Sequence, residues 1–422
     1  MWISSTENER WSEDNKMSDI PGVELKLKKT IVKPLFGWGC CISEICAMAI
    51  FSLSEEKQKE VFDELFSQAG CGFDYCRLSI GANDFAESWY SYNETEGDYE
   101  MQNFSIDRDR KYIIPAIKEA QKRSPEITFF ASPWSPPTWM KFPKVYNYGK
   151  LVQTDKNLKA YALYFRKFLE EYAKEGIKIS QITPQNEIFA DQKFPSCVFN
   201  EEEFENFISN YLIDEIGDLA DIWFGTINGP DPTRRYENHN GFLNRFMQNE
   251  KCKEHIKGVA YQWAGKFAIM QACIDYPHLD FIQSECECGD GDNTWDFAMY
   301  NFEMISHYTR FGARANVYWN MALDNNSYST WGWRQNSLIT VKDGEFTYTP
   351  DFYLFKHLAK FIKRGAMRIE TEGELSSNSL VYRNVDGSRV AVIMNPFDNE
   401  KIVSIEGKNY VLKARSFNTI IL

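Results

Sequence analysis

The feature that most constrains this chain is a rhythm. Between about residues 35 and 365, short apolar runs alternate with amphipathic stretches of helical period. Runs at 75–79, 128–132, 179–183, 222–225, 281–284 and 315–319 read as strands, and stretches such as 158–174 and 201–216 read as helices. Strands separated by helices must pair in parallel, because the chain crosses back over the sheet between them. Roughly eight such units close the sheet into a (β/α)8 barrel.

The flanks have a different period. Residues 23–32, 380–383, 389–394, 401–406 and 410–422 alternate apolar and polar positions, with turn signals at Asp386-Gly387 and Gly407-Lys408-Asn409. Period-two alternation with short turns predicts an antiparallel sheet. The expected α/β architecture is a (β/α)8 TIM barrel over 35–365. Beside it stands a side β-sandwich made from both termini, 1–34 and 366–422.

Several function classes are disfavoured. A net charge of −13 with no basic run opposes nucleic acid and anionic membrane surfaces. No stretch of about 18 apolar residues is present, so no membrane insertion is expected. The opening residues lack the apolar segment of a signal peptide. The ten cysteines are accordingly expected as reduced thiols in a cytoplasmic protein, although a chain without its leader would read the same. The five histidines show no ligand spacing and no nucleotide-binding motif appears, so neither a metal nor a cofactor is expected. Asp290-Gly291-Asp292-Asn293 reads as a turn rather than a calcium loop, and Cys286 and Cys288 as packing residues.

Catalytic groups of such barrels stand at the C-terminal ends of the strands. The residues that follow the strand-like runs are Asn83-Asp84, Ser132-Pro133-Trp134-Ser135-Pro136-Pro137-Thr138-Trp139, Gln185-Asn186-Glu187 and Ser284-Glu285. Two glutamates, an aspartate and a tryptophan-rich turn thus converge on one mouth. Glycoside hydrolysis needs this kind of set: one carboxyl protonated to assist the leaving oxygen, another ionised to attack. Glu287 competes with Glu285, since i and i+2 of a strand share a face, but placement favours Glu285.

These residues resemble glycoside hydrolase family 30, which includes the glucosylceramidases. The resemblance rests on Phe36-Gly37-Trp38-Gly39, Arg77 to Asp84, Ala131-Ser132-Pro133-Trp134-Ser135-Pro136-Pro137-Thr138-Trp139, Asn186-Glu187, Ser284-Glu285 with Gly289, and Trp319-Asn320 with Trp333 and Asn336. It implies a retaining, two-step mechanism with Glu285 as nucleophile and Glu187 as acid/base, and Arg77 orienting Glu285. It implies a set of substrate-binding residues: Asp84, Trp134, Asn186 and Trp319, together with Trp333 and Asn336. Where many members carry His-Trp-Tyr after strand six, this chain has Tyr261-Gln262-Trp263-Ala264. Those three residues, Tyr261, Gln262 and Trp263, are taken as substrate-binding, and the pattern is closer to members acting on β-1,6-glucans and related β-glucosides. The loop 229–240, with Arg234 and Arg235, is read as surface. The expected partner is a carbohydrate; oligomeric state is left open. Alternatives are the same mechanism on a β-fucoside, β-xyloside or β-galactoside, a transglycosylase, or a barrel that binds sugar without turnover.

Overall fold

The computed structural model describes residues 1–229, 239–325 and 327–422. Arg234 and Arg235 lie outside the described residues. Eight parallel strands form a closed barrel. They are β1 (Gly37–Ile42), β2 (Tyr75–Ile80), β3 (Thr128–Pro133), β4 (Ile179–Ile182), β5 (Asp221–Ile227), β6 (Ile256–Gln262), β7 (Asp280–Glu285) and β8 (Ala313–Asn320). Each strand neighbours the next in sequence, and β8 pairs with β1 in register Val317 to Gly39.

The barrel interior is filled by Tyr75, Phe130, Trp223, Ala260, Ile282, Ala315 and Val317. It is therefore a packed plug, and a ligand can enter only at the ends. A second, larger apolar layer lies between the strands and the surrounding helices, of which α1 (Asp155–Lys174), α2 (Trp295–Arg310) and α3 (Pro350–Ala359) are the most regular. Thr154, Thr294 and Thr349 cap these three, each side chain accepting a backbone N–H of the first turn. The stretch read as one helix over 201–216 does form, but it loosens into a π turn at Ile208–Leu212.

Both chain ends build the side domain. Its larger sheet runs in the order Trp2–Ser5, Ser416–Ile421, Arg389–Asn395, Ser379–Arg383, Met367–Glu372, Lys26–Pro34. A smaller sheet of Lys16–Met17, Lys408–Leu412, Lys401–Ile405 and Val23–Glu24 packs on it through Leu25, Val381, Ile393, Val403 and Leu412. The stretch 410–422 is two strands rather than one. The chain reverses between Leu412 and Ser416, so Lys408–Leu412 joins the small sheet and Ser416–Ile421 the large one.

Candidate active site

The C-terminal ends of β2, β3, β4, β6 and β7 deliver polar side chains into an otherwise apolar barrel. Arg77 on β2 is fully buried. Its Nη1 lies 2.5 Å from Oε2 of Glu285, the last residue of β7. Its Nη2 donates to Ser132 Oγ at 2.7 Å and to Asn186 Oδ1 at 2.8 Å, and Nε reaches the same hydroxyl at 3.1 Å. The guanidinium plane sits over Trp134, 4.6 Å from the ring centroid, and 5.8 Å from Trp319. A buried cation is tolerable only when so completely partnered.

Gln262 closes this network. Its Nε2 donates to Asn186 Oδ1 at 2.7 Å and to Glu285 Oε2 at 3.0 Å. Both acceptors fix the amide orientation, which leaves Gln262 Oε1 buried without a donor. Asn186 Oδ1 accepts from both Arg77 and Gln262, so its Nδ2 is turned away from them. Among the described residues, Oε1 of Glu285 has the Cys288 thiol as its hydrogen-bonding neighbour, at 4.0 Å.

Glu187 follows Asn186 in the left-handed region, φ +45°. That conformation costs a residue with a Cβ, and the surroundings must hold it there. Gln185 Nε2 donates to the carbonyls of Trp134 (2.8 Å) and Asn186 (2.7 Å), and Thr226 N donates to the Gln185 carbonyl at 2.7 Å. The Glu187 N–H itself donates to Thr226 Oγ1 at 3.3 Å. Burial, followed by the negative charges of Glu285 and Asp84, pushes the Glu187 carboxyl up to about 8. Asp84, just past β2, is pushed up to about 7 by burial and then by Glu285. Burial also raises Glu285, but there the Arg77 guanidinium pulls in the opposite direction. Three carboxyls thus share one site with unequal proton affinities, the situation in which one holds a proton while another is charged.

Trp134 and Trp319 stack with centroids 5.5 Å apart and planes at 30°, forming an aromatic floor. Trp263 begins a short turn after β6, partly exposed, with its carbonyl accepting the Tyr308 hydroxyl at 3.2 Å. Trp333 is also partly exposed and packs on Trp331, 5.2 Å between centroids. Asn336 is buried, and its Oδ1 accepts the N–H groups of Gly291 (2.9 Å) and Asn293 (3.2 Å). It thereby pins the loop behind Glu285. A Cβ on Gly289, φ +65°, would stand 2.5 Å from Asn336 Nδ2, which accounts for a glycine there.

Two readings need correction or decision. Tyr261 does not enter the mouth. Its neighbours Ala260 and Gln262 point into the barrel, so by strand alternation its ring faces outward, buried against Phe281 and Tyr308 at 6.1 and 6.5 Å. Glu287 lies past the end of β7, where alternation no longer applies, and accepts a hydrogen bond from Tyr300 of α2. It therefore does not face the carboxyl cluster. Residues the sequence reading assigned no role include Ser132, which anchors Arg77, and Lys141. The Lys141 Nζ is buried and donates to the Tyr146 and Ser196 carbonyls at 2.8 and 2.6 Å, stitching the loops after β3 and β4. Among the described residues, no group of three or more His, Cys, Asp or Glu side chains is placed to hold a metal ion. No helix among them is long and apolar enough to cross a membrane.

Comparison with known proteins identifies both domains of the chain. Residues 35–218 match the glycosyl hydrolase family 30 TIM-barrel domain, and residues 365–420 match the β-sandwich domain of the same family. Putative glucosylceramidase 3 of Caenorhabditis elegans is 27% identical over 420 residues, spanning 92% of this chain and 79% of that protein. The endo-1,6-β-D-glucanase BGN16.3 of Trichoderma harzianum is 24% identical, spanning 87% of this chain and 78% of its own. The solved structure of the endo-β1,6-glucanase BT3312 superposes with a TM-score of 0.87 at 21% identity, over 99% of this chain and 98% of that one. The chain belongs to glycoside hydrolase family 30 and is a glycoside hydrolase.

Proposed function

We propose that the enzyme cleaves β-glucosidic linkages with retention, Glu285 acting as nucleophile and Glu187 as acid/base. The observation that carries this reading is the asymmetry of the two glutamates. Glu285 is held directly by a cation and an amide donor, whereas burial and then the charges of Glu285 and Asp84 outweigh the more distant Arg77 at Glu187 and push its carboxyl up to about 8. At neutral pH Glu187 keeps its proton and Glu285 is the better anion.

In the first step a Glu285 oxygen bonds to the anomeric carbon as the glycosidic C–O bond breaks, and Glu187 gives its proton to the departing oxygen. In the second, Glu187, now ionised, takes a proton from water as the water oxygen replaces Glu285 at the anomeric carbon. Two inversions give net retention. Oε2 is committed to Arg77 and Gln262, so Oε1 is the oxygen with lone pairs available to attack. In this reading Asn186 Nδ2 donates to a sugar hydroxyl, Asp84 engages another, and the Trp134–Trp319 floor carries the apolar ring face.

The preference for glucose rests on the relatives, one named a putative glucosylceramidase and the other an endo-1,6-β-D-glucanase. The test is hydrolysis of a panel of aryl β-glycosides and β-linked disaccharides by wild type and Glu285→Gln, with the first-formed anomer read by NMR. A β-glucoside cleaved to the β-anomer, with the variant inactive, is the expected result. An inverted first product would overturn the two-step assignment, and exclusive action on another glycoside would overturn the sugar.

A further inference from the structure

Strands β4 and β8 stand opposite one another in the eight-stranded barrel, so the loops that follow them meet only where both extend well beyond their own strands. They do touch. Phe194, from the loop after β4, stacks on Trp331, from the loop after β8, with centroids 6.0 Å apart and planes at 29°. The ammonium of Lys193 sits 4.2 Å from the same indole centroid. An aromatic stack and a cation–π contact on one ring make this a cohesive bridge.

The bridge is tied to the site beneath it. Thr330 donates through both its N–H and its hydroxyl to the Asp84 carbonyl, at 2.7 and 3.2 Å. Trp89, from the loop after β2, donates its Nε1 to Thr330 Oγ1 at 2.6 Å. Contacts among the described residues thereby wall the arc of rim from β8 through β2 to β4. Asp84, Trp134 and Trp319, the side chains suited to hold the reacting sugar, all come from the walled arc. The Trp331 Nε1 is buried with no acceptor among the described residues. Such a donor costs free energy until a polar group meets it, and a sugar hydroxyl arriving under the bridge would do so.

Resting on the function proposed above, we infer that the glycone side of the site is closed. The enzyme then accepts only a terminal, unsubstituted sugar there and removes one residue at a time from the non-reducing end. A second sugar attached to the reacting one would have to pass through the Phe194–Trp331 bridge.

The test compares 4-nitrophenyl β-glucoside with its homologues carrying a second β-glucose at O3, O4 or O6. The expected result is nitrophenol from the monosaccharide glycoside, and from the homologues either nothing or nitrophenol only after glucose has been released. Trp331→Ala, and independently Phe194→Ala, should raise release of intact disaccharide relative to monosaccharide by about tenfold or more. Nitrophenol formed by wild type together with intact disaccharide would overturn the closure while leaving Glu285-dependent hydrolysis standing. Unchanged ratios in both folded variants would overturn the bridge as its cause. Failure to cleave even the simple glucoside would remove the proposed sugar, and the closure with it.

Discussion

Arg77 and Glu285 form an ion pair closed to solvent, Nη1 to Oε2 at 2.5 Å, with side-chain exposures of 0% and 8%. Such a pair is a poor source of stability, because desolvating two ions offsets most of their attraction. Its consequence here is geometric: it locks Oε2 and leaves Oε1 to react. Arg77→Met should strand a buried carboxylate, costing about 3–5 kcal/mol of stability. The Glu285 carboxyl should also rise, since its one opposing cation is gone, so the acidic limb of kcat/KM moves to higher pH. Arg77→Lys keeps the charge but loses the fork to Ser132 and Asn186, and should restore the limb without restoring full kcat. Thermal unfolding and a pH–rate profile separate the two effects.

The Glu187 carboxyl near 8 makes two predictions of opposite benefit. The basic limb of kcat/KM should fall through an apparent pKa of about 8 as the acid loses its proton. Asp84→Asn removes one of the charges that raises it, so that limb should move to lower pH. Stability runs the other way. Between the ordinary glutamate value of 4.5 and about 8, the folded protein holds a proton the unfolded chain has released, so stability declines as pH rises through that window. Glu187→Gln escapes this decline, and its melting temperature should exceed that of wild type by a margin that grows from pH 5 to pH 8. An equal margin at both pH values would refute the assignment.

Gln262 is the amide that closes the Arg77–Asn186–Glu285 network. A neutral amide cannot titrate, so it contributes no limb to the pH profile, yet it donates to both Asn186 and Glu285. Gln262→Leu deletes one bond to a carboxylate, a loss of about 1.5–3 kcal/mol or roughly 10–100-fold in kcat/KM. Gln262→Glu should be worse, because a second anion would face Glu285. Steady-state kinetics with an aryl glycoside would show whether the order Gln, Leu, Glu holds.

The barrel was legible because buried parallel strands must be short, apolar and separated by helices, and that leaves a periodic trace. The carboxyls were legible because strand ends are where such a barrel exposes chemistry. Tyr261 differs from the sequence reading for a reason of the same kind: adjacent residues of a strand face opposite sides, and with Gln262 turned inward the outward place falls to the tyrosine. The roles of Ser132 and Lys141, and the meeting of Phe194 with Trp331, left no trace. They depend on which loops approach one another across the mouth, and no local pattern records that approach. Residues 410–422 merged into one strand because the break at Lys413–Arg415 carries neither glycine nor proline.

Glu285 and Glu287 differ by two positions and can be told apart by activity alone. Glu287→Gln loses only its contact with the Tyr300 hydroxyl, which lies outside the carboxyl cluster, and should keep activity within about threefold of wild type. Glu285→Gln should fall by several orders of magnitude and fail to form a glycosyl-enzyme with a slow 2-fluoro glycoside. Mass spectrometry of the labelled protein would place the adduct, and an adduct on Glu287 would reverse the two roles.

His357 joins the barrel to the side domain. It lies on α3 at 0% exposure, with Nδ1 2.8 Å from Thr419 Oγ1 and Nε2 2.9 Å from Ser5 Oγ. Both partners belong to strands of the large sheet, one from each end of the chain. Burial, reinforced by Lys356, holds the imidazole down to about 3 against an ordinary 6.5. Below pH 6.5 the unfolded chain therefore gains a proton that the folded one refuses until about pH 3, and stability is lost as pH falls through that interval. The slope is at most about 1.4 kcal/mol per pH unit from this one group. His357→Gln, which can still bond one hydroxyl, should be less stable than wild type at pH 7 and lose less on going to pH 4.5. Denaturant unfolding at the two pH values measures both quantities, and an equal acid loss in variant and wild type would show that this histidine does not set the acid limit of the interface.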